Sequence, residues 1–188
     1  MIPMHLRSVP PPSETFDHIT FMRYLFSYFK PERYLELGVR FGTSFNHLAD
    51  FCTEAIGVDV IPPKFDLKDN MLYFQMSTDE FFDQIKPKPD IFFDVVFIDA
   101  DHSHEQSLKD FMNVKDLVIE DGIIFMHDTY PYDEKYMTTE YCNDCYRTPL
   151  YIKNNLIDDF EVFTLSINPG LTMIKKLKRN KQVIYFDK

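Results

Sequence analysis

"YLELGVRFGTSFNHL" spans residues 34–48 and holds two of the five glycines in a chain of 188 residues. An apolar run with one acid, Glu36, leads into Gly38. Gly42 follows four residues later, and a helical pattern begins at Thr43. This reads as a strand, a tight turn and a helix N-terminus. Glycine lets backbone approach a ligand closely. Free N–H groups at a helix start, here at Thr43 and Ser44, favour anionic ligand groups. The spacing is not the G-x-G-x-x-G of a dinucleotide site, so the ligand must be read from the rest of the chain.

Working outward, the hydrophobic period alternates between strand and helix. Strands are expected over 33–38, 55–60, 71–76, 94–100 and 121–128, each a continuous apolar run. Helices are expected between them over 43–51, 78–85 (capped by Thr78 and ended at Lys86-Pro87) and 103–118. Upstream, residues 15–29 carry apolar side chains at helical spacing, with Ser13 as cap and Pro31 as stop. Residues 1–13 read as an extended arm, because Pro10, Pro11 and Pro12 forbid helix there. Downstream, 129–149 is a long polar-aromatic loop, of a length that is usually functional or mobile. A helix over 150–157 and two strands within 160–176, joined through Asn168-Pro169-Gly170, complete the pattern. "QVIYF" near the end could add an edge strand. Continuous apolar strands between helices indicate a parallel sheet covered on both faces. The expectation is one α/β domain over 1–188: a doubly wound, mostly parallel, seven-stranded sheet closed by an antiparallel hairpin.

Composition narrows the partners. The formal net charge is −10 and the pI about 5.0, which argues against a nucleic-acid partner, since phosphate binding needs a basic face. The one basic cluster, Lys175, Lys176, Lys178, Arg179 and Lys181, reads as a solvated hairpin end. Three cysteines cannot build a disulfide framework and point to a reducing compartment. No apolar run is long enough for a membrane span. The expectation is a soluble, cytoplasmic protein.

In open parallel sheets ligands bind at the carboxyl ends of the strands. Sorting polar residues by that rule brings Glu36, Asp59, Ser77, Asp99, Asp101, His102, His127 and Asp128 to one rim. Asp59 lies about twenty residues past the glycine turn, where an acid accepts hydrogen bonds from a ribose diol. The pair points to an adenosine-bearing cofactor. The plainer alternative is that Gly42 only ends a turn and Asp59 only caps a loop.

"ELGVRFGTS" resembles the first motif of the class I S-adenosylmethionine-dependent methyltransferases. Its E-x-G-x-x-x-G-x-S form is similar to the catechol and caffeoyl-CoA O-methyltransferases and to the macrocin-type sugar O-methyltransferases. "GVDV" resembles their second motif. "FIDADHSHEQSLKDF" and "DGIIFMHDT" resemble the I-D-x-D-H-S-Y and G-G-x-x-x-x-H-D-T segments of the macrocin-type group. The resemblance covers about residues 12–130. It implies that Glu36, Gly38 and Gly42 line the methionine end of S-adenosylmethionine, that Asp59 binds the ribose, and that Val60 and Ser77 lie near the adenine. It also implies that Asp99, with His127 and Asp128, binds a divalent metal, and that His102 is the general base. A histidine's ordinary pKa of about 6.5 suits that duty; the alternative for His102 is a capping or supporting role.

There are departures. Related enzymes usually carry two acids, or an acid and an amide, where this chain has His127-Asp128. Histidine binds Mn²⁺ or Fe²⁺ but is a poor ligand for Mg²⁺, so the metal could be any of the three. Arg40 stands where other branches have glycine and is expected to point away from the cofactor. His104 reads as a helix-surface residue and Asp101 as a cap of the same helix. "CNDC" (Cys142, Cys145) has no second C-x-x-C to complete a zinc site and reads as two loop thiols without a shared task. Tyr130, Tyr132, Tyr136, Tyr141 and Tyr146 either wall an acceptor pocket or pack the loop.

The expected activity is metal-assisted O-methylation of a small hydroxylated acceptor, of sugar or natural-product type. Two alternatives stand beside it: an iron-dependent enzyme resembling the cephalosporin hydroxylases, and a non-catalytic binding protein on the same scaffold. The chain lacks the extra N-terminal helices that many such enzymes fold over the acceptor. The pocket is then either open or completed by a second subunit, as in a homo-oligomer.

Overall fold

The computed structural model describes residues 16–85, 91–167 and 169–177. The extended arm, the Ser13 cap, the Lys86-Pro87 stop, Lys178, Arg179, Lys181 and the "QVIYF" strand lie outside them. The chain order is α1 (His18–Phe29), β1 (Arg33–Leu37), α2 (Thr43–Ala49), β2 (Glu54–Asp59), β3 (Met71–Gln75), α3 (Thr78–Ile85), β4 (Phe93–Ile98), α4 (His104–Val114), β5 (Val118–His127), α5 (Arg147–Asn155), β6 (Phe160–Leu165) and β7 (Leu171–Lys176).

The strands form one seven-stranded sheet in the order β3-β2-β1-β4-β5-β7-β6. All pairs are parallel except β5 with β7 and β6 with β7. Period-two alternation sends neighbouring strand residues to opposite faces. Leu35, Val96 and Ile124 pack with Phe81 and Phe82 of α3 and Phe111 of α4. Tyr34, Val95, Phe97 and Phe125 pack on the other face with Met22 and Phe26 of α1 and Phe45 and Leu48 of α2. Both faces are therefore dry, which is why the strands read as unbroken apolar runs.

Helix ends differ in places from the sequence reading. Asp17 caps α1, accepting from the Thr20 N–H at 2.7 Å. Ser77, not Thr78, caps α3: its Oγ accepts from the Glu80 N–H at 3.2 Å, and the Glu80 carboxylate accepts from the Ser77 N–H at 2.9 Å. This reciprocal capping box satisfies two free donors. Ser103 caps α4, while Asp101 accepts from the Ser103 N–H just before it. The helix expected over 103–118 stops at Val114, because Phe93 N–H takes the Leu117 carbonyl and Val118 already opens β5. The loop expected over 129–149 is shorter, since α5 begins at Arg147; Pro149 sits in its first turn, where it disrupts no helical hydrogen bond. Among the described residues no helix is long and apolar enough to cross a membrane.

Candidate active site

Strand order reverses between β1 and β4, and a cavity of about 1120 Å³ opens at their carboxyl ends. Gly38, Thr43, Ser44, Asp59, Val60, Ser77, Asp99, His102, His127 and Asp128 all line it. Glu36 and Gly42 do not.

Glu36 lies beneath the glycine turn, fully buried. Tyr34 Oη donates to its Oε2 at 2.5 Å, and Ser44 Oγ donates to its Oε1. Burial pushes its pKa up to about 8, against the two hydroxyl hydrogen bonds. Its expected place in the cavity wall is thus corrected: flanking hydroxyls hold it as a support of the turn. Gly42 is likewise turned inward, at φ 77°, where a Cβ would come within 2.3 Å of the Phe65 ring. At Gly38 a Cβ would meet the Asp99 carbonyl oxygen at 2.3 Å. The two glycines thus serve chain-on-chain packing as much as ligand approach.

Asp59 locks the turn in place. Its Oδ2 accepts from the Val39 and Arg40 N–H groups at 2.8 and 2.7 Å, and its Oδ1 from Ile61 N–H at 2.8 Å. Arg40 adopts the left-handed conformation at φ 49°, which explains why glycine suits this position elsewhere. Its guanidinium lies 5.0 Å from the centre of the exposed Phe41 ring, and the residue is part of the cavity wall. Val60, 65% exposed, offers an apolar surface beside Asp59.

At the opposite end β4 and β5 deliver Asp99 and Asp128. His102 Nε2 lies 3.0 Å from Asp128 Oδ2 and 3.7 Å from Asp99 Oδ1. Its Nδ1 faces the Tyr141 carbonyl oxygen. A carbonyl and a carboxylate both only accept, so each ring nitrogen of His102 faces an acceptor. His127 Nδ1 stands 3.1 Å from Asp99 Oδ1 and 3.4 Å from Asp128 Oδ2. Burial opposes a charge on His127, but the Asp99 and Asp128 carboxylates outweigh it and hold the pKa at about 10. His127 Nε2 is buried and has no hydrogen-bond partner among the described residues. Asp99, His102 and Asp128 place one donor atom each within 4.8 Å of one another. His127, expected as the metal-binding histidine, is not in that group, because it meets the carboxylates from the buried side; His102 takes that place.

Three further features escaped the sequence reading. His18, the first residue of α1, lines the cavity with its ring centre 3.9 Å from that of His127. Burial, reinforced by the charge on His127, lowers its pKa to about 4, so it stands neutral at pH 7. No local pattern marks it, because the contact exists only once α1 packs on the sheet. Second, both thiols of "CNDC" grip the end of β5: Cys142 Sγ donates to Asp128 Oδ1 at 3.3 Å, and Cys145 Sγ to the His127 carbonyl at 3.5 Å. They do share a task, contrary to expectation. Burial raises both pKa values, that of Cys145 to about 12, so neither is a ready nucleophile. Third, His104 is half-buried rather than on the surface: its N–H donates to Asp144 and its Nδ1 meets Thr148 Oγ1 at 2.8 Å, tying α4 to the loop and α5. Of the five loop tyrosines only Tyr141 lines the cavity; Tyr132 and Tyr136 stack on one another.

Residues 35–129, about half of the chain, match the family described as methyltransferase domain. Among solved structures, the O-methyltransferase from Bacillus cereus in complex with S-adenosylhomocysteine is similar at TM-score 0.64 and 14% identity, covering 90% of this chain and 83% of that one. The S-adenosylhomocysteine-bound methyltransferase PaMTH1 of Podospora anserina is similar at TM-score 0.63 and 17% identity, over 93% and 85%. The O-methyltransferase TomG of Streptomyces achromogenes, involved in tomaymycin synthesis and in complex with S-adenosylmethionine, is similar at TM-score 0.64 and 12% identity, over 84% and 78%. At these identities the likeness is one of fold. No curated protein sequence matches.

Proposed function

The chain belongs to the methyltransferase domain family, with the fold of the class I S-adenosylmethionine-dependent enzymes, and from that premise we propose that it methylates a hydroxyl oxygen of a small acceptor of sugar or natural-product type. One observation carries the reading. A single cavity joins the Asp59-locked glycine turn to the Asp99–His102–Asp128 cluster. The first end suits an adenosine and the second suits deprotonation of a hydroxyl.

S-adenosylmethionine supplies an electrophilic methyl group. The residues of the chain bind, orient and deprotonate. Asp59 accepts from the ribose hydroxyls, with Val60 against the base. The N–H groups at Thr43 and Ser44 face the carboxylate of the methionine part. The His102–Asp128 pair, with Nε2 and Oδ2 3.0 Å apart, takes the proton of the acceptor hydroxyl. Tyr141 fixes the orientation of the ring through its carbonyl. Aligning donor and acceptor in one cleft supplies the rest of the rate enhancement.

A divalent metal fits the same cluster. Asp99, His102 and Asp128 would hold it, His102 then serving as a ligand instead of a base, and a histidine in the donor set favours Mn²⁺ or Fe²⁺ over Mg²⁺. When bound, it would lower the pKa of a coordinated hydroxyl. The same donor set supports a second reading, an iron-dependent enzyme of other chemistry. Labelled S-adenosylmethionine with a panel of catechols, flavonoids and monosaccharides, each with and without Mn²⁺, Fe²⁺ and Mg²⁺, tests the choice. Methyl transfer to an oxygen supports the proposal. Stoichiometric iron in the purified protein with no transfer to any acceptor supports the second reading.

A further inference from the structure

Gln106 lines the cavity. It lies in the first turn of α4 and reaches across to α3. Its side-chain Nε2 stands 3.1 Å from Thr78 Oγ1, 3.2 Å from Asp79 Oδ1 and 3.1 Å from Asp110 Oδ1. Two of these partners are carboxylates, which accept. The amide nitrogen must therefore face them, and the usual ambiguity between amide oxygen and nitrogen is resolved. Oε1, on the other branch of the amide, is turned away from all three. Among the described residues it has no hydrogen-bond partner, and it is not sealed from solvent. A residue of the cavity wall thus carries a free acceptor-only atom.

Its place fits one part of the ligand. Asp59 ends β2, and the Asp99 cluster lies on the β4 and β5 side of it. A ribose held at Asp59 with its sulfonium toward Asp99 sends its base the other way, toward β3 and α3. The cavity wall there includes Val60, Met76, Ser77, Thr78, Asp79 and Gln106. Asp59 serves the ribose, Asp79 accepts from Gln106 Nε2 at Oδ1 and from Lys109 Nζ at Oδ2, and the capping box of α3 occupies Ser77. Gln106 Oε1 is the side-chain acceptor left for the base.

We propose that Gln106 is the base-reading residue: its Oε1 accepts a hydrogen bond from the exocyclic amino group of adenine, and the clamp of Thr78, Asp79 and Asp110 holds it in that orientation. The inference rests on the S-adenosylmethionine reading above. A 6-oxo purine would set a carbonyl oxygen against Oε1, acceptor against acceptor. The site then rejects it, as sites built around one polar group reject the analogue that cannot pair. Asp110 has a structural reason on this account. Its fully buried carboxylate, with Oδ2 unpartnered among the described residues, is a costly feature unless it fixes the amide.

The test is calorimetric titration of the full chain with S-adenosylhomocysteine and with S-inosylhomocysteine, which differ at C6 of the purine. The wild type is expected to prefer the adenine form by about tenfold or more. Gln106→Met, which keeps the length and removes the acceptor, is expected to bring the ratio near one. Gln106→Asn, which draws the oxygen back, covers the case in which the Met variant fails to fold and is expected to give an intermediate ratio. Asp59→Ala is the control: it weakens both ligands and keeps the ratio. Equal wild-type affinities, or an undiminished preference in a folded Gln106 variant, overturn the inference while leaving the cofactor reading intact. No binding of either ligand by the wild type overturns both.

Discussion

Replacing Glu36 with glutamine should flatten the pH dependence of stability. Glu36 titrates at 4.5 in its ordinary state and at about 8 in the fold, first because burial disfavours the charged form. Below pH 4.5 both folded and unfolded chains carry the proton, and the residue is neutral toward stability. Between the two values only the unfolded chain releases it, so stability falls as pH rises. Each pH unit removes about 1.4 kcal/mol, a total of about 5 kcal/mol by pH 8 and about 3 kcal/mol by pH 7. That is a large fraction of the 5–15 kcal/mol typical of a whole domain. Above pH 8 the loss levels off. Glutamine has the same shape and no proton to release, and its amide can still meet Tyr34 and Ser44. Urea unfolding at pH 5, 6, 7 and 8 measures the effect. Wild type and Glu36→Gln should lie close together at pH 5, and the variant should be the more stable by several kcal/mol at pH 8. Parallel curves across the range would refute the claim that Glu36 is buried and neutral under the turn.

Other outcomes follow from the same geometry. Gly38→Ala puts a Cβ 2.3 Å from the Asp99 carbonyl at φ 87°, and is expected to cost more than about 3 kcal/mol in a denaturant melt. Cys142→Ala removes the donor to Asp128 and should cost about 1–3 kcal/mol, while Cys142→Ser restores most of it; Mn²⁺ affinity measured by titration should follow the same order. His102→Ala should lower kcat by about 10²–10⁴-fold and leave S-adenosylhomocysteine affinity unchanged. A matching loss of that affinity would show that His102 serves the cofactor rather than the acceptor.

The sheet was legible because both its faces are covered. Each central strand is an unbroken apolar run, and five such runs between helical segments leave few arrangements other than a parallel sheet. The strand-end rule then gathered Asp59, Asp99, His102 and Asp128 correctly around one cavity. What failed did so for local reasons. Glu36 looked like a cavity residue because it stands two positions before Gly38, yet its direction is set by Tyr34 and Ser44, which take its oxygens inward. The helix ending at Val114 was read too long because Leu117 and Val118 continue its apolar spacing, although they belong to the entry of β5. His18 and the two thiols depend on contacts between segments far apart in the chain. His18 meets His127 across α1 and β5, and Cys142 meets Asp128 across a folded loop. Neither contact leaves a periodic trace. Gln106 carries no local mark in the sequence, because the partners that fix its amide lie on α3 as well as α4.

The central claim is that the cavity holds the adenosyl cofactor between the Asp59-locked turn and the Asp99 cluster. Calorimetric titration of the wild type and of Asp59→Ala with S-adenosylhomocysteine tests it most directly. The account predicts saturable one-to-one binding by the wild type. Loss of a charged hydrogen-bonding partner of the ribose should weaken it about ten- to a hundredfold in a variant that circular dichroism shows to be folded. Absence of binding by the wild type, or equal affinity in the two proteins, would contradict it.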